Sequence, residues 1–192
     1  MTSNIWRATM DNYEKQLIEM VRHDDHLTTI LKAVENLNLD DAWVAAGVIR
    51  NKVWDCLHNK TTPINDIDVI YFDRTDTSLE AEKVLEEKLT TLMPDEPWSV
   101  KNQARMHVKN GFDRFNSSYD GVAHFPETAT AIAIKLDNGM LDIIAPYGLN
   151  DLFKKIVKPT PYFENTMLRS VYNKRMKEKQ WVDIWSGLLI EK

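Results

Sequence analysis

The sequence contains little cysteine and no excess of positive charge, and each shortage excludes a class of protein. Cys56 is the single cysteine, so an intramolecular disulfide and a thiolate zinc cluster are both ruled out. We expect Cys56 to be a small core residue. Lysine and arginine number 24 against 29 aspartates and glutamates, so no general basic field exists for binding nucleic acid. A local basic groove is still compatible with these counts.

Long apolar runs are also missing. No segment approaches the roughly 20 apolar residues of a membrane helix. The first residues show no signal-peptide pattern, so we predict no membrane contact and a cytoplasmic location. Hydrophobic residues nevertheless make up 43% of the 192 positions, which is enough for the core of one globular domain.

The most informative stretch is residues 64–73, where β-branched and aromatic residues predict a β-strand. Asp66 and Asp68 occupy alternate positions near its start, so their side chains are expected on one face. Neighbouring carboxylates repel each other, and a divalent cation between them removes that repulsion. Oxygen ligands favour Mg²⁺ or Mn²⁺ over zinc. The alternative is a pair of solvated aspartates on an edge strand.

A short apolar strand, a glycine and a helical pattern precede the acidic strand. Gly47 at the junction allows a ligand to approach the backbone closely. The unpaired N–H groups in the first turn of the helix favour an anion, and Arg50 and Asn51 add donors for a phosphate. Phosphate donors and metal ligands on neighbouring elements are what transfer of a nucleotidyl group from an NTP requires.

Gly47 followed by Asp66-Ile67-Asp68 resembles the signature of the DNA polymerase β-type nucleotidyltransferase superfamily. Longer segments resemble a small bacterial family of stand-alone nucleotidyltransferase-like proteins within it: residues 46–55, 66–73, 101–107 and 145–149. The resemblance implies an enzyme that moves an NMP group from an NTP to an acceptor and releases pyrophosphate. One position departs, because Val48 stands where the superfamily has serine or glycine. Arg50, Asn51 and backbone amides would then bind the triphosphate without that hydroxyl.

The resemblance also implies a third carboxylate. Asp142 lies between apolar residues on a predicted strand after Asn138-Gly139, which matches the superfamily pattern. In that role Asp142 would be catalytic, join Asp66 and Asp68 as a metal ligand and help to deprotonate the acceptor hydroxyl. If Asn138-Gly139 forms a two-residue turn, however, Asp142 lies opposite Lys135, and the two form a cross-strand ion pair instead. Both alternatives stay open here.

Residues 98–108 alternate between apolar and polar side chains and predict a further strand. Lys101 and Arg105 belong to its polar face, where they either bind the phosphates or base of the nucleotide or simply face solvent. Residues 109–127 show no sustained period and predict a long loop over the site.

The whole pattern predicts an α/β (α+β) fold with a twisted mixed sheet and helices on one side. Residues 1–40 form a helical addition that packs on the sheet or mediates a homodimer, residues 41–160 form the nucleotidyltransferase-like core, and residues 161–192 form a basic helix and tail. The cations of that helix either form a solvated face or bind phosphate or a partner: Arg169, Lys174, Arg175, Lys177 and Lys179.

The acceptor is not identified by any motif, and the acidic net charge of −5 favours a small molecule over nucleic acid. Two alternative functions use the same residues. The missing hydroxyl after Gly47 favours a nucleotide-binding or regulatory module without turnover. A metal-dependent phosphohydrolase could also use Asp66 and Asp68.

Overall fold

The computed structural model describes residues 2–164 and 166–191, with side chains from residue 12 onward. Its main sheet contains β1 (Ala42–Ala45), β2 (Ile67–Tyr71), β3 (Trp98–Asn102), β4 (Ala133–Asp137) and β5 (Met140–Ile144). The strand order is β3-β2-β1-β4-β5. β2 and β3 are parallel and the other neighbours are antiparallel, which confirms the predicted mixed sheet.

Four helices surround one side of the sheet: α1 (Thr2–Arg22), α2 (Asp25–Glu35), α3 (Gly47–His58) and α4 (Leu79–Leu92). A hydrophobic cluster joins Leu17 of α1, Ile30 of α2 and Trp54 of α3 to the inward-facing residues of the strands. Trp181 and Trp185 belong to the same cluster. The amino-terminal, central and carboxyl-terminal parts of the chain therefore share a core. Cys56 is exposed on α3, so the prediction that it is a core residue was wrong.

A shorter helix, α6 (Ser118–Ala123), covers the opposite face of the sheet. Val122 of α6 packs there against Trp43, Ala45 and Ile70. The helix begins where the Ser117 hydroxyl accepts a hydrogen bond from the Asp120 amide at 3.2 Å. Helices thus lie on both faces, and the prediction of helices on one side was wrong because residues 109–127 are not an unstructured loop.

The strand predicted over residues 98–108 ends at Asn102 and continues as α5 (Gln103–Met106) and a 3₁₀ helix (His107–Asn110). The side chain of Asn102 is fully buried. Its Oδ1 atom accepts from the Ala104 amide at 3.0 Å, and its Nδ2 atom donates to the carbonyl oxygens of Asp73 and Asp76. Asn102 therefore caps α5 and secures a neighbouring loop, which ends the strand early.

The remaining elements complete the carboxyl-terminal half: α7 (Asn150–Phe153), β6 (Ile156–Val157), α8 (Pro161–Glu164), α9 (Arg169–Lys179), α10 (Trp181–Ile184) and β7 (Leu189–Ile190). β6 and β7 form a separate parallel pair. The β4–β5 hairpin has the predicted two-residue turn, in which Asn138 and Gly139 have φ values of 49° and 82°. None of the described helices combines the length and apolar character of a membrane span.

Candidate active site

Asp68 of β2 and Asp66, just before that strand, lie beside the start of α3. A methyl group placed on Gly47 would be 3.7 Å from Asp66 Oδ1 and 3.9 Å from Arg50 Nη2. Asp68 pairs in register with Ala45, one residue before the turn that leads into α3. Burial raises the pKa of the half-buried Asp68, and the charge of Asp66 raises it further. The structure therefore brings Gly47, Arg50 and both carboxylates together.

The turn into α3 carries backbone strain at Ala46. This residue has φ 57° and ψ −110°, a conformation that favours glycine. Its amide donates to the carbonyl oxygen of Ile132 at 2.9 Å, which helps to hold the turn in place. Within the described part of the chain no side chain caps the start of α3 by a hydrogen bond, so the first turn of the helix is suited to an anion.

Arg50 is a buried cation at the base of this turn, with 6% of its surface exposed. Its Nη1 and Nη2 atoms donate to Thr130 Oγ1 at 3.1 Å and to Asn51 Oδ1 at 2.7 Å. The guanidinium carbon lies 4.2 Å from the centre of the Trp181 ring. Among the described residues, no acceptor bonds to Arg50 Nε. Burial lowers the pKa of Arg50 to about 10, so the side chain stays charged near neutral pH.

Asn51 and Lys101, both predicted to bind nucleotide, occupy different surroundings. The amide oxygen of Asn51 is used by Arg50, and Asn51 lines a cavity of about 470 Å³ between α2, α3 and residues 60–64. Lys101 of β3 lines a second cavity, of about 230 Å³, together with Asp68. The positive charge of Lys101 partly opposes the rise in the pKa of Asp68.

One wall of the cavity beside Asp68 is aromatic. Phe112, Phe115 and His124 line it, and the His124 ring centre is 4.6 Å from each phenylalanine ring centre. Gln103 lines it as well and packs directly on Gly121, where an added methyl group would lie 2.8 Å from Gln103 Cγ. The cavity therefore combines faces for a planar ring with hydrogen-bonding groups close to the carboxylates.

Two cations of the basic carboxyl-terminal helix, for which the sequence left phosphate binding and a solvated face both open, lie near Asp68. Arg175 of α9 lines the same cavity, and the charges of Arg175 and Lys179 both lower the pKa of Asp68. The signal in the sequence was the basic run of residues 169–179. That run did not reveal which of its members face the sheet, because this depends on how α9 packs.

Asp142 is not beside the two aspartates. It lies opposite Lys135 in the β4–β5 register, and its Oδ2 atom is 3.7 Å from Lys135 Nζ. β5 is three strands away from β2, a lateral separation of about 14 Å at the usual strand spacing. The structure shows the ion pair, and the separation rules out a metal ion shared with Asp68. Among the described residues no group of three His, Cys, Asp or Glu side chains could hold a metal.

Arg105 is also absent from the cavity beside Asp68. It is held by Glu82 of α4, with 2.6 Å between Arg105 Nε and Glu82 Oε1 and a second bond from Nη2. Glu82 is buried, and this pairing raises the pKa of Arg105. The change from strand to helix at Gln103 turns Arg105 toward α4, so its placement differs from the one that strand alternation predicted.

Comparison with known proteins shows what the chain is similar to. The nucleotidyltransferase family matches residues 32–190. An NMR structure described as revealing a CCA-adding enzyme head domain is 34% identical, with a TM-score of 0.82, and the match covers 93% of this chain and 95% of that one. No curated protein sequence matches the chain.

More distant structures share the fold alone. The Thermotoga maritima CCA-adding enzyme complexed with tRNA is 17% identical with a TM-score of 0.57, and the match covers 93% of this chain and 42% of that one. A structure described as a tRNA-processing enzyme complex is 15% identical with a TM-score of 0.53, covering 85% of this chain and 43% of that one. The chain thus spans less than half the length of these two proteins.

Proposed function

This chain belongs to the nucleotidyltransferase family, and on that premise we propose that it moves an NMP group from an NTP to an acceptor hydroxyl. The proposal depends on one observation above all: Asp66 and Asp68 lie beside the Gly47 turn, where a triphosphate would meet the start of α3. The new bond joins the acceptor oxygen to the α-phosphorus. The bond to the β-phosphate oxygen breaks, pyrophosphate leaves, and the hydroxyl proton passes to solvent.

The donor set suits Mg²⁺ or Mn²⁺ held by Asp66 and Asp68. Both donors are carboxylates, and burial together with the charge of Asp66 raises the pKa of Asp68 in the metal-free protein. A bound cation would remove the repulsion between the two carboxylates and withdraw charge from the phosphate oxygens. The chain's own residues would then position the NTP.

Three features of the chain would position the NTP. Gly47 has no side chain, so a polyphosphate can approach the first turn of α3. Arg50 supplies a fixed charge at the same turn, because its two tryptophan neighbours and Thr130 hold it in place. Lys101 supplies a second charge from the neighbouring strand. Preorganised cations of this kind stabilise charge that develops during phosphoryl transfer.

The acceptor that we propose is a small hydroxylated molecule. The cavity beside Asp68 has a volume of about 230 Å³, which suits a compact ligand, and the chain has a net charge of −5. The local cations around Asp68 make an RNA end the alternative to test, since one structural relative was solved with tRNA.

The test is an assay of pyrophosphate release with each NTP and Mg²⁺ across a panel of small acceptors and total tRNA. We expect acceptor-dependent release of pyrophosphate and transfer of label from α-labelled NTP to a small molecule. Labelling of tRNA would contradict the proposed acceptor. Release of inorganic phosphate or NMP without an acceptor would contradict the transferase and indicate the phosphohydrolase.

A second function is favoured by a specific observation. Only two carboxylates meet at the turn within the described part of the chain, and Val48 supplies no hydroxyl for the triphosphate. A nucleotide-binding module without turnover would need nothing more. Tight Mg²⁺-dependent NTP binding without pyrophosphate release, across the whole acceptor panel, would support this second function.

A further inference from the structure

We propose that Arg175 of α9, positioned by Glu127, binds the polyphosphate of the NTP, so that the carboxyl-terminal helix forms part of the active site. This inference rests on the proposed function, because it assigns a further residue to the same site. The observation behind it is the ion pair between Arg175 and Glu127, in which Glu127 is buried and Arg175 is partly exposed.

Glu127 is a rigid anchor for Arg175. Its side chain is fully buried, and Arg175 Nε donates to Glu127 Oε1 at 2.6 Å while Nη2 lies 3.4 Å from Oε2. The carbonyl oxygen of Glu127 accepts from the amides of Thr130 and Ala131 at 3.1 and 3.0 Å. The carboxylate is therefore fixed by both its main chain and its burial, and it holds one edge of the Arg175 guanidinium.

The other edge of Arg175 faces the cavity beside Asp68. The side chain of Arg175 retains 31% of its exposure, and among the described residues Nη1 donates to no protein acceptor. Arg175 and Asp68 line the same cavity, but their charged atoms do not approach within the 4 Å of an ion pair. A guanidinium with one edge fixed and one edge free matches the geometry for binding a phosphate oxygen.

Charge balance in the cavity points to the same ligand. Its charged lining residues are three cations, Lys101, Lys109 and Arg175, against one carboxylate, Asp68, and the charge of Asp66 acts on Asp68 from close by. Adding a divalent cation at the aspartates leaves an excess of positive charge. The polyphosphate of an NTP would neutralise that excess, and Arg175 is one of the partly exposed cations in the lining.

The packing of α9 keeps Arg175 at this position. Tyr172, one turn earlier, is fully buried, and its hydroxyl lies 3.1 Å from the carbonyl oxygen of Val157 and 2.8 Å from that of Glu191. The helix is therefore fastened to the β6–β7 pair. Arg175 reaches the cavity from a rigid support rather than from a free tail.

The test compares variants by calorimetric binding of Mg²⁺–NTP, Mg²⁺–tripolyphosphate and NMP. For Arg175→Gln we expect affinity for the NTP and for tripolyphosphate to fall about tenfold or more, and affinity for NMP to fall by less. Arg175→Lys should recover part of the loss, because lysine keeps the charge but lacks the fork. Lys174→Gln is the matched control: this exposed residue pairs with Glu178 on the same helix, and binding should stay within about twofold.

Two results would overturn the role of Arg175 while leaving the proposed function intact. In the first, Arg175→Gln binds the NTP as tightly as the wild-type protein. In the second, its NTP and NMP affinities fall by equal factors, which indicates a structural role. A wild-type protein that binds neither NTP nor tripolyphosphate in Mg²⁺ would overturn both the proposed function and this inference.

Discussion

Trp185 donates its indole N–H to Asp55 Oδ1 at 2.7 Å, joining the carboxyl-terminal segment to the helix that begins at Gly47. The other carboxylate oxygen accepts from the amide and hydroxyl of Thr62 at 2.7 and 2.9 Å. One buried carboxylate thus ties α3 both to the tail and to the segment that leads into β2. The tail is therefore part of the support of the site.

Asp55→Ala should lower the free energy of unfolding by about 3 kcal/mol, because it leaves the buried indole N–H of Trp185 and two half-buried donors of Thr62 without an acceptor. Urea unfolding followed by tryptophan fluorescence would measure the change. Asp113→Ala, at an exposed aspartate, is the control and should change stability by less than about 0.5 kcal/mol. Equal stability of the two variants would mean that the Asp55 contacts contribute little.

The separation of Asp142 from Asp68 predicts opposite outcomes for two isosteric substitutions. Asp68→Asn removes a proposed metal ligand and should abolish Mg²⁺-dependent NTP binding. Asp142→Asn removes only the ion pair with Lys135, in which the Asp142 side chain is 52% exposed. NTP affinity should therefore remain within about twofold of wild type. A loss of binding in Asp142→Asn would show that the carboxylate acts at the site despite the strand order.

Gly47→Ala should separate stability from binding. The added methyl group would lie 3.7 Å from its nearest neighbour, an ordinary contact, so the protein should fold with stability within about 1 kcal/mol of wild type. The same methyl group occupies the approach to the first turn of α3, so NTP affinity should fall about tenfold or more. Thermal unfolding and calorimetry on one sample would measure both. Unchanged affinity would place the triphosphate elsewhere.

Arg105→Met should destabilise the fold without weakening NTP binding. The substitution leaves Glu82 as a buried carboxylate without its cation, at a cost of about 3 kcal/mol. Arg105 lines a different cavity from Asp68, so calorimetry on the folded variant should give an NTP affinity like that of wild type. Weakened binding in a variant that is still folded would return Arg105 to the nucleotide site.

The raised pKa of Asp68 predicts how stability depends on pH without metal. Because burial and Asp66 raise this pKa above the value of the unfolded chain, the folded state binds the proton more tightly. The resulting stabilisation is fully present below the unfolded pKa and is lost as pH rises through the folded one. Asp68→Asn should therefore unfold at a higher temperature than wild type in EDTA at neutral pH. Mg²⁺ should raise the unfolding temperature of the wild type alone, and a rise in both proteins would argue against metal binding at Asp68.

Features that depend on neighbouring residues were predictable from the sequence. The two-residue hairpin turn follows from the preference of Asn138 and Gly139 for positive φ. The start of α4 follows from its N-cap Ser78, whose hydroxyl accepts from the Ala81 amide at 3.1 Å. The proximity of Asp66, Asp68 and Gly47 also follows locally, because adjacent strands and a short turn bring them together.

Features that depend on distant partners were not predictable. The strand ends at Asn102 because its side chain bonds the loop at Asp73, which is 29 positions away. Arg105 turns toward Glu82 for the same kind of reason, across 23 positions. The alternation of apolar and polar residues predicted where this strand begins. It did not predict where the strand ends, because the Asn102 side chain caps α5 there.

The sequence by itself determined the acidic pair, the glycine turn and the mixed sheet, because these arise from side-chain alternation and backbone preference over a few residues. The tertiary structure decided which charges join them. Strand order carried Asp142 to the far edge of the sheet, and the docking of α9 on Glu127 brought Arg175 in. Both outcomes depend on packing between segments far apart in the chain, and no local pattern encodes that packing.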